Sequence, residues 1–204
     1  QASSPGDAPN ISLRGEYTYR VLKQVGLHER AVVLGCPSHL THPNPKLGVL
    51  LKRSLARPIE RVAVAPGNIV RPAQALAKIE QSLAVMADRY GGGYIVQHPK
   101  ELMVLVRDGF HAVDEETVSR IPAVCIAVDS RQTEMCEVMR IPSIPAAAVT
   151  DGVDLDDALE VLNSWDWDAF DANRSELAGR YARFLADNGL QHTPLIERLA
   201  NPSG

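Results

Sequence analysis

The residues with the clearest chemical potential are Asp129, Ser130 and Arg131, which follow an apolar stretch, and Glu134, which comes one helical turn later. Ser130 is expected to cap the helix that begins there, and backbone amides at a helix N-terminus favour a bound anion. Arg131 adds a forked donor suited to phosphate or carboxylate. Glu134 shares that helix face and is suited to hold Arg131 or a ligand hydroxyl. The spacing predicts either an anion or sugar-phosphate contact or an ordinary capped helix with a surface ion pair.

Other polar residues stand just after predicted strands. His98 is interpreted either as a general acid, base or phosphate ligand or as a turn histidine. Arg14 either reaches a cleft or is a surface arginine, and Asn68 lies in another loop of this kind. Cys36 is predicted to be a packing residue, because nothing adjacent in the sequence would lower the pKa of its thiol.

The elements that must position these residues alternate between strands and helices. Because the strands are apolar and separated by amphipathic helices, they predict a parallel α/β sheet covered by helices. In such a sheet, ligands bind at the carboxyl ends of the strands, which is where the candidate residues lie. The predicted strands are 11–14, 31–34, 61–65, 93–97 and 123–128, and the predicted helices are 16–25, 73–90, 99–107, 131–139, 155–162 and 172–187.

The composition narrows the function classes. The 204 residues are 45% hydrophobic and 23% charged, with a net charge of -4. This balance is typical of a globular protein and argues against a nucleic-acid binder, which needs surplus Lys and Arg. No apolar run approaches the roughly 20 residues of a membrane span, and the polar first residues do not resemble a signal peptide. Cys36, Cys125 and Cys136 are expected to be free thiols in a reducing compartment.

Three segments together resemble the polysaccharide pyruvyl transferase family. They are residues 12–18 (SLRGEYT), 33–38 (VLGCPS) and 121–134 (IPAVCIAVDSRQTE). The resemblance implies two Rossmann-like domains in a GT-B-type arrangement. It also implies transfer of an enolpyruvyl group from phosphoenolpyruvate to a sugar hydroxyl of a polysaccharide or its precursor. The reaction forms a pyruvate ketal and releases phosphate, with no cofactor beyond the phosphoenolpyruvate donor.

The same resemblance suggests roles for the candidate residues. Arg14, Arg131 and the amides around Ser130 would supply part of the anion site, with Asn68 as a further substrate-binding residue. Asp129 or Glu134 would orient the acceptor, and His98 would act as the acid. Absence of a Walker motif, a G-x-G-x-x-G and a G-x-S-x-G weakens nucleoside triphosphatase, dinucleotide oxidoreductase and hydrolase interpretations.

The chain also departs from the family pattern. Family members are longer, and the resemblance implies that much of the first domain is absent before Gln1. Their Arg-x-His-Gly element is missing here, since Ser119-Arg120 runs directly into Ile121. Either the protein is truly shortened there, or residues are missing between Arg120 and Ile121. Val128 stands where the family often has histidine.

The predicted organisation has four parts. Residues 1–45 are a remnant of the first Rossmann-like domain, 46–58 a Pro-rich connector, 59–188 the second Rossmann-like domain with a closing helix, and 189–204 a C-terminal tail. The closing helix is expected to pack against residues 10–45. His39 and His42 are predicted to be solvated linker histidines.

The expected partners are phosphoenolpyruvate and a sugar or lipid-linked oligosaccharide acceptor, with no nucleic acid and no membrane span. The expected location is the cytoplasm or the inner face of the membrane. Two alternatives stay open: a GT-B glycosyltransferase that uses a nucleotide sugar, and a non-catalytic binding module of the same fold.

Overall fold

The protein is a mixed α/β chain in which helices dominate. The computed structural model describes residues 8–57, 62–64, 94–96, 122–127, 129–145, 148 and 155–202. The prediction that the chain is α/β and that its strands pair in parallel is confirmed for the described residues. The predicted helices 73–90 and 99–107 lie outside the described residues.

The described strands form parallel two-stranded pairs. Leu13 pairs with Val33 in the first pair, and Cys125 pairs with Ser143 in the last. The short apolar runs of the sequence form these strands, because β-branched residues favour a pleated and half-buried surface. In chain order they are β1 (Ile11–Leu13), β2 (Ala31–Val33), β3 (Val62–Val64), β4 (Tyr94–Val96), β5 (Cys125–Ala127) and β6 (Ser143–Pro145), paired as β1–β2, β3–β4 and β5–β6.

The described helices include two that the sequence did not predict. One lies inside the expected Pro-rich connector and the other inside the expected C-terminal tail. The closing helix also begins earlier than predicted, because Asp166 caps it by accepting a hydrogen bond from the Ala169 amide at 2.9 Å. The α-helices are α1 (Glu16–Gln24), α2 (Leu47–Leu55), α3 (Ser130–Met139), α4 (Leu155–Ser164), α5 (Trp167–Asp187) and α6 (Pro194–Ala200).

Helix α5 organises the core. Its Ala178 and Tyr181 pack with Leu34, Leu40 and Leu199 in one buried cluster. Its first turns carry Trp167 and Phe170, which pack with Leu47, Leu51 and Leu162 in a second. The prediction that the closing helix packs against residues 10–45 is therefore confirmed. The tail is not a loose extension, because α6 packs along α5 through Leu199.

Helix α1 does not bury the apolar stripe that its sequence predicts. Tyr17, Val21 and Val25 are 52%, 42% and 64% exposed. Only Tyr19 and Leu22 pack inward, against the small cluster formed by β1 and β2. The predicted stripe consists of the three exposed residues and Leu22, so the periodicity correctly indicated the helix and one inward side chain, while the other three side chains stay exposed.

A buried arginine ties α5 to the segment between β2 and α2. Arg174 is 0% exposed, and its guanidinium donates to the backbone carbonyls of His39, Asn44 and His42. Burial lowers the pKa of Arg174, while the nearby Asp171 carboxylate opposes that effect. The fork geometry of guanidinium lets one side chain satisfy three carbonyls, which holds this Pro-rich segment in place.

Asp171, one turn before Arg174, caps helix α2. Its two carboxylate oxygens accept from the Gly48 amide at 2.6 Å and the Val49 amide at 3.3 Å. Amides of the first helical turn have no acceptor within the helix, so the carboxylate supplies one. Its negative charge also interacts favourably with the positive end of the helix dipole. Asp171 and Arg174 together explain how the proline-rich segment and the helix that follows it are held against α5.

His39 is not the solvated linker residue that the sequence predicted. Its ring meets the Phe170 ring edge to face, with 5.2 Å between the two ring centres. Its Nε2 is buried without a hydrogen-bond partner among the described residues. Burial first, and then the charge of Arg174, lowers the pKa of His39 to about 4. A proton on this ring is therefore unfavourable in the folded state.

His39 should make folding stability pH-dependent. The unfolded chain binds a proton on this residue near pH 6.5 and the folded chain only near pH 4, so stability falls as the pH drops between these values. We expect a loss of roughly 2 kcal/mol between pH 7 and pH 5, measured by urea unfolding. His39→Phe keeps the ring contact with Phe170 and should remove this part of the pH dependence. An unchanged pH dependence in His39→Phe would show that another group is responsible.

Among the helices that the structure describes, none is both long and apolar enough to cross a bilayer.

Candidate functional site

Glu134 joins two of the motif segments directly. It lies in α3 and is only 8% exposed, and its Oε2 accepts from the Tyr17 amide at 3.0 Å and the Thr18 amide at 3.4 Å. These amides belong to the first turn of α1, where donors have no partner within the helix. Glu134 thus caps α1 from a different helix. The carboxylate is a positioning group that fixes the Arg14-Gly15 turn against α3.

Gly15 is required for this close approach. It is the N-cap residue of α1 and is extended, with a φ of -160°. A β-carbon at this position would overlap the Glu134 carboxylate and lie 2.6 Å from its Cδ. The absence of a side chain, rather than an unusual backbone angle, is what position 15 needs.

The start of α3 differs from the prediction in one respect. Asp129, not Ser130, is the N-cap, and its carboxylate accepts from the Gln132 amide at 2.8 Å. Ser130 is the first helical residue, so the prediction that it caps the helix is wrong. Asp129, Ser130 and Arg131 are all exposed. Arg131 remains available to a ligand from solvent, three residues before the capping Glu134.

The Gly35-Cys36 turn packs against the far end of the same helix. Gly35 has a φ of +75°, and a β-carbon there would meet the Met139 side chain at 2.9 Å. The Cys36 amide donates a hydrogen bond to the Met139 sulfur, with 3.1 Å between nitrogen and sulfur. On the other side, the Tyr181 hydroxyl donates to the Gly35 carbonyl at 3.1 Å. The second motif segment is therefore held between α3 and α5.

The Cys36 thiol has an environment that the sequence did not predict. Its Sγ lies 3.0 Å from the Ser38 Oγ. Burial raises its pKa, but hydrogen bonds from the Ser38 side chain and backbone, together with the charge of Arg14, outweigh this and lower the pKa. The expectation that nothing nearby would lower the pKa of Cys36 is wrong.

Arg14 acts on these groups through its charge. Its side chain is exposed, and its charge influences both Cys36 and Tyr181. Burial, and then the neighbouring Cys36, raises the pKa of Tyr181 to about 12, with Arg14 opposing. An exposed guanidinium beside a half-buried thiol and a phenol forms a polar cluster with a local positive charge.

The structure thus brings together some of the predicted site residues. Arg14 and Glu134 lie on contacting segments, and Asp129, Ser130 and Arg131 lie on the first turn of α3, before Glu134. His98 and Asn68 lie outside the described residues, as do Val128 and the Arg120–Ile121 junction.

Sequence reasoning missed two supporting residues, Met139 and Tyr181. Met139 is 3% exposed and Tyr181 is 7% exposed, so each resembles an ordinary core residue in an amphipathic pattern. No feature of the sequence shows that their polar atoms face the Gly35-Cys36 turn. In the part of the chain that the structure describes, no group of three or more His, Cys, Asp or Glu residues is arranged to hold a metal ion.

Comparisons of the chain with protein families, with curated proteins and with solved structures found no match.

Proposed function

We propose that this chain is a transferase that moves the enolpyruvyl group of phosphoenolpyruvate to a sugar hydroxyl of a polysaccharide or its precursor and forms a pyruvate ketal. The observation that supports it most is the contact between the segments on which the resemblance rests. Glu134 binds the first turn of α1, and Met139 of the same helix meets Cys36. Segments far apart in sequence are therefore neighbours along α3, as parts of one site must be.

The charges of these segments suit a doubly anionic donor. Phosphoenolpyruvate carries a phosphate and a carboxylate, and its binding needs several cationic or amide donors. Arg14 and Arg131 are both exposed, so a ligand in solvent can reach both guanidinium groups. Arg14 precedes the Gly15 turn that Glu134 holds, and Arg131 precedes Glu134 by one helical turn. We assign the donor anion to these two arginines.

The proposed reaction balances as follows. The phosphoenolpyruvate methylene carbon takes a proton and becomes a methyl group, while its central carbon loses the bond to the phosphate oxygen. Two hydroxyl oxygens of the acceptor form bonds to that central carbon. Of the two hydroxyl protons, one replaces the proton given to the methyl group and the other leaves with phosphate. The reaction needs an acid for the carbon and a base for the hydroxyls, but no oxidant.

The described acidic residues divide into positioning and candidate reacting groups. Glu134 uses its carboxylate to cap α1, so its role is to position Arg14 rather than to contact the acceptor. Asp129 is exposed but accepts from the Gln132 amide, and it is the better candidate to orient a sugar hydroxyl through its second oxygen. His98 stays the proposed acid.

Phosphate release tests the proposal. The protein is incubated with phosphoenolpyruvate and a panel of oligosaccharide acceptors, and inorganic phosphate is measured. We expect acceptor-dependent release that falls at least tenfold in Arg14→Ala and in Arg131→Ala. Arg183→Ala on the exposed side of α5 is the matched control and should leave the rate unchanged.

Two outcomes would point elsewhere. Release from nucleotide sugars but not from phosphoenolpyruvate would favour the glycosyltransferase alternative. No release with any donor, in a protein whose unfolding is cooperative, would favour a non-catalytic module. The use of Asp129 and Glu134 as helix caps fits that last alternative, since capping is a folding role.

A further inference from the structure

Two of the three cysteines lie side by side on neighbouring elements. Cys125 is on β5, and its amide donates to the Pro142 carbonyl at 2.9 Å. Cys136 is on α3, and its carbonyl accepts from the Ile141 amide at 2.9 Å. The chain therefore turns at the end of α3 and returns as β6 beside β5. This turn brings the Cys136 side chain to Cys125, and the two thiols are hydrogen-bonding partners.

A surface cavity of about 300 Å³ adjoins the pair. Cys136 lines this cavity although it is only 2% exposed, and Ser143, the strand partner of Cys125, lines it as well. Trp165 and Arg140 form other parts of the wall. Cys125 is half-buried. The cavity wall therefore includes Cys136 but not Cys125, and a reagent meets Cys125 first through its own partly exposed surface.

Cys136 differs from Cys36 in its acidity. Burial, and then the adjacent Cys125, raises the pKa of Cys136 to about 12. Cys136 is therefore a protonated thiol and a poor first nucleophile. Cys36 has a lowered pKa and belongs to another cluster, so its modification can be followed separately.

We propose that Cys125 and Cys136 are a modification site, at which a small disulfide oxidises the pair to an intramolecular disulfide linking β5 to α3. Such a site needs two adjacent thiols, one of them partly exposed, and the turn between α3 and β6 brings Cys125 and Cys136 into that arrangement. The inference does not depend on the proposed transferase activity.

The steps balance with a disulfide such as oxidised glutathione as the oxidant. The Cys125 thiolate attacks one sulfur of glutathione disulfide, which gives a mixed disulfide and releases one glutathione thiolate. Cys136 then loses its proton and attacks the Cys125 sulfur, which releases the second glutathione. Two protein thiols lose two hydrogens in total, and one glutathione disulfide is reduced to two glutathione molecules.

The test is to equilibrate the folded protein with oxidised and reduced glutathione at graded ratios, alkylate the remaining thiols and map them by mass spectrometry. We expect oxidation to give a crosslinked Cys125–Cys136 peptide pair that is two hydrogens lighter, while Cys36 is recovered separately as the alkylated thiol or as a glutathione adduct. Dithiothreitol should reverse the crosslink. The melting temperature should rise by roughly 5–10 °C, because the crosslink restricts the unfolded chain between residues 125 and 136 and lowers its conformational entropy.

Single variants separate this outcome from simple adduct formation. In Cys136→Ser, the Cys125 adduct has no neighbouring thiol to expel glutathione, so a stable mixed disulfide should accumulate. Cys36→Ser should form the crosslink as the unmodified chain does. The proposal is overturned if all three cysteines stay alkylatable, if the wild-type protein carries a stable glutathione adduct at Cys125, or if the crosslink joins two chains.

Discussion

Replacement of Gly15 by alanine is expected to destabilise the folded chain by roughly 3 kcal/mol. The new methyl group would overlap the Glu134 carboxylate and lie 2.6 Å from its Cδ, so either α1 or α3 must move. Any such movement breaks the bonds that Glu134 accepts from the Tyr17 and Thr18 amides, and the amides lose their cap. Urea unfolding of Gly15→Ala against the unmodified chain measures the loss directly.

Gly179 provides the matched control for this substitution. It lies inside α5, and a β-carbon there would come no closer than 3.9 Å to a neighbour. Alanine is a better helix former than glycine, so Gly179→Ala should stabilise the chain by about 0.5–1 kcal/mol. If the two variants unfold at the same urea concentration, the result contradicts the inference that residue 15 packs tightly against Glu134.

Replacement of Arg174 by methionine is expected to cost about 3–5 kcal/mol. The substitution removes the donors of three part-buried backbone carbonyls, those of His39, His42 and Asn44. It also leaves Asp171 without the positive charge that favours its ionised form. The predicted result is a chain that unfolds at much lower denaturant or fails to accumulate as a folded protein.

Two further variants define the cause of that loss. Arg174→Lys keeps the charge but lacks the planar fork, so it should recover only part of the stability. Arg183→Met on the exposed side of the same helix should change stability by no more than about 0.5 kcal/mol. A small effect of Arg174→Met, similar to that of Arg183→Met, would contradict the assigned role of the buried guanidinium.

Local periodicity predicted most of the described elements, because strands and amphipathic helices leave regular apolar patterns. Helix α2 was missed although Leu47, Leu51 and Leu55 have helical spacing. The surrounding prolines favoured a connector, and the helix is stabilised by Asp171, which lies far away in sequence. The exposed face of α1 was missed for a similar reason, since periodicity indicates a face but not what covers it.

The sequence predicted which segments carry the candidate residues, and the roles of those residues stay proposals. Arg14, Asp129 and Arg131 were identified from their places after strands, and the described structure puts their segments in contact. The capping role of Glu134 could not be predicted from the sequence, because the amides that it caps belong to a helix far away in the chain. The lowered pKa of Cys36 could not be predicted either, since it depends on how Ser38 and Arg14 are placed around the thiol.

Direct binding of phosphoenolpyruvate is the sharpest test of the central claim, which is that the Arg14 turn and the start of α3 form one anion site. Isothermal titration calorimetry on the folded protein should show saturable binding of one phosphoenolpyruvate per chain, and inorganic phosphate should compete. Arg14→Ala and Arg131→Ala should each weaken it at least tenfold, while Arg183→Ala should not. Absence of binding, or equal affinity in all three variants, would contradict the account.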